Sequence, residues 1–161
     1  MRVSAKADYA LRAAAELAVS GAGPMKAERI SEAQDIPIKF LESILLELKH
    51  AGIVRSQRGP DGGYALARPA AEISLADVIR AVDGPLANVR GDRPENVSYA
   101  GPATRLTDVW IAVRASLRHV LESTSLADLS GGQLPPEVEE LAQDPKAWVS
   151  LGRIRGTAAG A

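Results

Sequence analysis

The fold is decided by residues 52–67, which read Gly52-Ile53-Val54-Arg55-Ser56-Gln57-Arg58-Gly59-Pro60-Asp61-Gly62-Gly63-Tyr64-Ala65-Leu66-Ala67. The residues at 53–57 and at 64–67 predict two short β-strands, since a cluster of turn-forming residues separates them. That cluster, residues 58–63, is rich in glycine, which adopts the positive φ angles that tight turns need. The stretch therefore predicts a β-hairpin with a basic, glycine-rich tip.

Three helices are predicted upstream of this hairpin. Ser4 is the predicted N-cap of the first helix, whose apolar stripe consists of Leu11, Ala14, Ala15 and Ala18. A second helix fits residues 26–34 and stops before Pro37, because a residue that precedes proline disfavours the helical conformation. Pro37 begins a third helix, which extends to about residue 51. Its predicted buried stripe consists of Leu41, Ile44, Leu45 and Leu48.

Helical patterns return downstream of the hairpin. Ser74 and Asp77 resemble a capping box and predict a helix from Leu75 to about Val82. Residues 86–104 lose periodicity and form the longest irregular stretch, which is typical of a functional or mobile loop. An apolar seam follows at Leu106, Val109, Trp110, Val113, Leu117, Val120 and Leu121. A short helix is predicted at 135–142, and the small residues at 152–161 predict disorder.

Composition excludes several classes of function. The chain of 161 residues has no cysteine and two histidines, which excludes disulfides, thiolate zinc sites, cysteine-ligated iron–sulfur clusters and thiol catalysis. No nucleophile–base pair, nucleotide motif, membrane-spanning run or signal peptide is found, so a cytoplasmic protein that is not an enzyme and does not contact membrane is expected. The net charge of −1 gives by itself little support for binding to nucleic acid.

The order of the elements points to a function. Three helices followed by a hairpin, with a polar exposed face on the third helix, is the order of a winged helix-turn-helix. The third helix would fit the DNA major groove, and the hairpin tip would reach the backbone or the minor groove. The seam at 106–121 would form the dimer that a palindromic operator requires, or it would pack within its own chain. The predicted fold class is mainly α with a small β-hairpin wing: a winged helix-turn-helix DNA-binding domain plus a long dimerisation helix.

The sequence resembles the Rrf-type bacterial regulators, the family of the iron–sulfur cluster regulator IscR. The matching blocks are residues 1–10, 36–42, 52–56 and above all the wing motif Arg58-Gly59-Pro60-Asp61-Gly62-Gly63-Tyr64. Later blocks at 73–85 and 121–129 extend the resemblance to about residue 130. The resemblance implies a homodimeric transcription factor, most often a repressor, whose long helix crosses to the partner subunit.

The resemblance also implies which residues contact DNA. The residues expected at the major groove are Lys39, Glu42 and Ser43; those expected near phosphate are Ser4, Lys6 and Tyr9; those of the wing are Arg58 and Gly59. Arg58 would enter the minor groove, and Glu42 would accept from a cytosine amino group or repel other bases. The alternative for the third helix is an ordinary solvated face, since exposed helices carry polar residues at this spacing. For Arg58 the alternative is a solvated loop arginine.

The main departure from the family lies in the sensor loop. Many relatives bind a [2Fe–2S] cluster through three cysteines there, whereas residues 88–104 of this chain contain none and Thr107 stands near the position of a further ligand. Asp8 and Arg12 occupy first-helix positions that serve as ligands in one subgroup. Asp8 alone cannot hold a cluster, and arginine cannot act as a ligand at all. No cofactor and no metal are therefore expected.

The sequence thus predicts four segments: a winged helix-turn-helix domain at 1–84, a loop at 85–104, a dimerisation helix and its end at 105–130, and a partly disordered tail at 131–161. The predicted function is a homodimeric, cluster-free repressor that binds a palindromic operator in double-stranded DNA. The irregular loop would be the place where any small-molecule effector or partner protein acts, or it would sense nothing. The alternative is a diverged regulator that acts mainly as an interaction module for a metabolic enzyme, in sulfur or cysteine metabolism. A steep salt dependence of DNA binding would favour the first.

Overall fold

The computed structural model describes residues 2–21 and 23–149. Within these ranges the helices are α1 (Ala5–Val19), α2 (Ala27–Gln34), α3 (Ile38–His50), α4 (Leu75–Asp83), α5 (Leu106–Ser123), α6 (Leu126–Gly131) and α7 (Pro136–Gln143). The strands are β1 (Val54–Gln57) and β2 (Gly63–Leu66). The mainly α fold with a hairpin wing is confirmed, while the disorder predicted for 152–161 lies outside the described residues. No helix in the described part of the chain is long and apolar enough to cross a membrane.

Helix α1 begins at its predicted cap, where the backbone N–H of Ala7 donates to the Ser4 hydroxyl oxygen at 2.9 Å. Its fully buried residues are Ala7, Ala10, Ala13, Ala14 and Leu17. Of the predicted stripe, Ala14 is fully buried, whereas Leu11 and Ala18 are partly buried against the core. Helix α1 packs against α3, α4 and α6, and a face of alanines allows short distances between helices. The predicted stripe is therefore only partly correct, because alanines occur all around α1 and periodicity alone does not select the buried side.

Helices α2 and α3 form the helix-turn-helix. The turn between them contains Asp35 in the left-handed conformation, with φ of 50°. Arg12 of α1 stabilises the C-terminal end of α2, because its guanidinium donates to the carbonyl oxygen of Gln34. The predicted stripe of α3 is confirmed, and its fully buried residues are Leu41, Ile44, Leu45 and Leu48. The polar side of α3 is therefore exposed.

Strands β1 and β2 form the predicted hairpin, with Val54 opposite Leu66 and Gln57 opposite Gly63. Tyr64 exchanges two backbone hydrogen bonds of 2.8 Å with Met25, which lies just before α2. Gly63 adopts a φ of +150°, and a Cβ at this position would lie 2.4 Å from the carbonyl oxygen of Met25. Glycine thus permits the close approach that fixes the wing beside the helix-turn-helix.

Helix α4 begins with the predicted capping box of Ser74 and Asp77. The irregular stretch after it is confirmed and contains short 3₁₀ turns at Pro94–Asn96 and Gly101–Ala103. Helix α5 packs against α4 and the first of these turns, yet none of its residues is fully buried. Helix α6 is absent from the sequence-based prediction, although Ser125 and Asp128 form a second capping box at its start.

Candidate nucleic-acid interface

The exposed face of α3 carries the three residues expected at the major groove. Lys39, Glu42 and Ser43 are all exposed and lie at helical spacing on this face. The Nζ of Lys39 lies 3.8 Å from Oε2 of Glu42, and the Lys39 side chain is 92% exposed. An ion pair this exposed adds little to stability, so both side chains remain available to a partner.

The same face includes an apolar residue that the sequence-based prediction lacks. Leu46 is 51% exposed and lies three and four residues beyond Ser43 and Glu42, on the same side of α3. An apolar side chain at this position suits the C5-methyl group of thymine in the major groove. The helical spacing could have identified Leu46, but a search limited to polar residues omits it.

The wing tip carries Arg58 and Gly59, both of which are exposed. Gly59 has a φ of +107° with open space around the position of a Cβ, so the turn itself is the reason for glycine. A cleft between the wing and the start of α2 is lined by Lys26 and Arg29 on the helix side and by residues 60–62 on the wing side. The sequence-based prediction does not include these two basic residues, because nothing in the sequence pattern indicates that the wing lies beside them. Their charge suits a phosphate backbone.

The residues expected near phosphate form contacts within the chain. The Ser4 hydroxyl donates to Oδ2 of Asp83 at 2.5 Å. Lys6 pairs with Oε2 of Glu47 at 2.9 Å. The Tyr9 ring packs edge-on against Phe40, with 5.7 Å between the ring centroids. These contacts join the N-terminal half of α1 to α3 and to the end of α4.

The apolar seam of α5 is divided between two surroundings. Its inner part contacts the same chain: the indole N–H of Trp110 donates to the Tyr99 hydroxyl at 3.1 Å, and Leu117 and Leu121 line a groove beside α1 and α4. Its outer part is less covered, since Val109 is 51% exposed. The half-buried members of the seam are Leu106, Trp110, Val113, Leu117, Val120 and Leu121. Helix α5 thus carries more apolar surface than its own chain covers.

The loop between α4 and α5 is held by polar contacts. The Thr107 hydroxyl donates to the carbonyl oxygen of Val97 at 2.8 Å. The Asn96 side chain, at 3.0 Å, and the Arg93 backbone N–H donate to Asp92 and hold the pKa of its carboxyl below the ordinary range. The pKa of Glu95 is lowered in the same way, first by its own backbone N–H and then by Arg114. These hydrogen bonds therefore stabilise the ionised form of both carboxyl groups.

A helix-turn-helix with a fixed wing and an exposed polar face on the second helix defines a winged helix-turn-helix DNA-binding protein. The sequence model of the Rrf2 family, described as an iron-dependent transcriptional regulator, matches residues 3–132. The chain belongs to the Rrf2 family. The predicted resemblance is confirmed, and the protein is a DNA-binding transcriptional regulator of bacterial type.

Individual relatives agree with this assignment. The chain is 53% identical over 151 residues to the HTH-type transcriptional regulator Rv1287 of Mycobacterium tuberculosis, across 93% of this chain and 94% of that protein. The structure of CymR, described as the global cysteine regulator of B. subtilis, superposes with a TM-score of 0.71 and 33% identity over 83% of this chain and 98% of CymR. The structure of T. potens IscR superposes with a TM-score of 0.65, with 31% identity over 94% of each chain.

The description of the family as iron-dependent raises the question of whether these residues fit an iron–sulfur cluster. The chain offers no thiolate, and clusters require cysteine for most of their ligands. The described residues contain no group of three or more histidine, aspartate or glutamate side chains that could hold a metal ion. The carboxylate of Asp8 pairs with Arg12 at 3.3 Å, and the hydroxyl of Thr107 donates a hydrogen bond to the loop backbone. The donor set therefore does not fit such a cluster.

Proposed function

We propose that the protein is a homodimeric repressor that binds a palindromic operator. The observation that carries the proposal is α5, an 18-residue helix with an apolar seam and no fully buried residue. Covering the seam with a second copy would remove apolar area from water, at about 25 cal/mol per Å². A twofold axis would then present two copies of α3 to DNA, with half-sites about 34 Å apart.

The residue roles within this proposal follow the surface described above. Lys39, Glu42 and Ser43 contact base edges, and Leu46 extends that contact with an apolar side chain. The residues that act near phosphate are Ser4, Lys6, Tyr9, Lys26 and Arg29. Arg58 enters the minor groove from the tip, where the positive φ of Gly59 turns the chain. The support for these roles is the exposure of α3 and the attachment of the wing to Met25.

The proposal divides the chain by task. Residues 1–84 bind DNA, residues 105–130 form the dimer, and residues 85–104 respond to a small-molecule effector or a partner protein. Support comes from the contacts of the loop with α5, namely Thr107 with Val97 and Arg114 with Glu95. A change in the loop would therefore reach the dimer helix directly. The tail at 131–161 has no assigned task.

The test is fluorescence anisotropy of the purified protein on labelled DNA from upstream of its own gene. A scrambled duplex serves as competitor, and the titration is repeated across a salt series. We expect two protomers per duplex, preference for the genomic DNA, and an affinity that falls steeply with salt, since phosphate contacts release counterions. Equal weak binding to both duplexes would contradict the operator proposal, and one protomer per duplex would contradict the homodimer.

A further inference from the structure

A cavity of about 420 Å³ lies where the end of α4, the link after it and α5 meet. The arginines that line it are Arg80, Arg93, Arg114 and Arg118. They come from three separate elements: Arg80 from α4, Arg93 from the loop, and the other two from successive turns of α5. The volume lies within the range of small-molecule sites, roughly 300–1,000 Å³.

The cavity remains positively charged after its ion pairs are counted. Glu95 lines the cavity and pairs with Arg114, whose side chain is 20% exposed. Glu122 pairs with Arg80 and lies 3.4 Å from Nε of Arg118. Asp92 interacts with the charge of Arg93. Four guanidinium groups thus face three carboxylates, an excess of one positive charge. Like charges around one cavity repel one another, and an anion bound between them offsets that repulsion.

Helix packing explains only part of this cluster. The pairs formed by Arg80 and Arg114 join α4 and the loop to α5, which is a structural role. Asp77 lies 4.0 Å from Arg80 but also pairs with Arg68 at 3.4 Å, so it does not neutralise the excess. Arg93 interacts with the loop carboxylates of Asp92 and Glu95, but packing does not explain the open space in front of the four arginines.

We propose that this cavity binds a small organic anion with two or more oxyanion groups, of the phosphate-ester or polycarboxylate type. Guanidinium groups bind phosphate and carboxylate in the same bidentate geometry. Arginines from three elements can contact separate oxyanion groups of one ligand. The proposal names the chemical class of the effector and rests on the proposed function for its regulatory meaning, whereas binding itself does not depend on DNA.

The test is isothermal titration calorimetry of the full chain without DNA. Pyrophosphate and citrate are the two probes, with sodium chloride adjusted to constant ionic strength. We expect at least one probe to bind once per protomer, and the tighter one indicates a phosphate or a carboxylate source. The double variant Arg93→Gln/Arg118→Gln should weaken binding by roughly tenfold or more, because it removes charge-assisted hydrogen bonds. Arg114→Lys keeps the charge but loses the bidentate geometry of the guanidinium group, so it should also weaken binding.

Two control variants separate this cavity from other basic surfaces. Arg105→Gln removes a cation at the start of α5 that pairs with Asp108 outside the cavity, and Arg58→Ala removes one from the wing. Both should bind the probe like wild type. The proposal is overturned when neither probe binds, or when a control weakens binding as much as the double variant. DNA binding of the anion-free protein tests the proposed function separately, so the two failures are distinguishable.

Discussion

Arg58 lies at the tip of a wing whose position depends on the backbone behind it. Tyr64 joins the wing to Met25 through two hydrogen bonds, and Gly63 allows the two backbones to meet. The arginine is therefore presented on a fixed support, while its own side chain is exposed. A preorganised contact costs less conformational entropy on binding than one on a mobile loop.

Replacing Arg58 with alanine should weaken binding to the specific duplex by about 1–3 kcal/mol, because one good DNA contact is lost. The number of counterions released on binding, which the salt dependence of the affinity measures, should fall by about one, because the side chain no longer neutralises negative charge of the DNA backbone or minor groove. Fluorescence anisotropy at several salt concentrations measures both quantities. Arg105→Ala, at the start of α5, is the matched control and should bind as wild type does. Wild-type affinity of the Arg58→Ala variant would show that the wing does not contact DNA.

Two glycines of the wing give a paired stability prediction. Gly59→Ala places a side chain at positive φ in open space and should cost about 1 kcal/mol. Gly63→Ala adds a Cβ that would lie 2.4 Å from the Met25 carbonyl oxygen, so it should cost at least about 1 kcal/mol more. Urea denaturation measures the difference. Equal costs for the two variants would mean that the Met25 bridge does not hold the wing.

Each helix of the DNA-binding half is fixed by contacts from another element. Arg12 of α1 closes the end of α2, while Lys6 pairs with Glu47 of α3 at 2.9 Å. The Ser4 hydroxyl reaches Asp83 at the end of α4. Helix α1 therefore joins the helix-turn-helix to α4, against which α5 packs.

The short helix α6 gives a prediction on pH. The pKa of Asp128 is lowered by hydrogen bonds from the Ser125 hydroxyl and then from the Ser125 backbone N–H. At pH values above the ordinary aspartate pKa of about 4, the ionised carboxylate therefore stabilises the folded state. This stabilisation disappears as the pH falls through the lower pKa that Asp128 has in the folded protein. Asp128→Asn should be less stable than wild type at pH 7, and the gap should narrow below about pH 4.

Urea denaturation of both proteins between pH 7 and pH 3 measures this gap. Glu137→Gln, at the start of α7, is a control because that position lies outside the capping box. A gap between wild type and Asp128→Asn that stays constant over the whole range would show that the ionised carboxylate contributes nothing to the cap.

The whole molecule has two regions with different kinds of surface. The DNA-binding region has a core of residues from α1, α2, α3, β1 and α4, into which Leu126 of α6 also packs. Helix α5 has no fully buried residue and extends an apolar side away from that core. A protein that exposes such an apolar helix side is expected to bury it in an interface. The cavity lined by four arginines lies where the two regions meet.

Replacing Val109, which is 51% exposed on α5, with glutamate should convert the proposed dimer to monomer. A charge buried in an interface costs several kcal/mol unless it is paired. Light scattering coupled to size-exclusion chromatography measures the mass, and operator affinity should fall with it. Leu141→Glu is the matched control, since Leu141 of α7 is 54% exposed. A Val109→Glu protein that remains dimeric would place the interface elsewhere.

Local patterns predicted most of the secondary structure. The capping box of Ser74 and the leucine stripe of α3 depend on residues within one or two turns, and both were predicted correctly. The buried face of α1 was predicted only in part, because the choice among its alanines depends on the distant helices α3, α4 and α6. The predicted DNA contacts remain predictions. Three further candidates, Lys26, Arg29 and Leu46, could be identified only from the structure, which shows that Leu46 is exposed and that Lys26 and Arg29 lie beside the wing.

Residue types and their order along the chain suffice to predict the order of the elements, the glycine-dependent hairpin and the lack of cluster-binding thiols. These properties depend on residue type and on neighbours along the chain, where propensity and periodicity act. Three further properties become visible only in the folded chain: the wing is hydrogen-bonded to Met25, α5 keeps an uncovered apolar side, and one cavity is lined by Arg80, Arg93, Arg114 and Arg118. These arrangements join residues far apart in sequence, and long-range packing sets them.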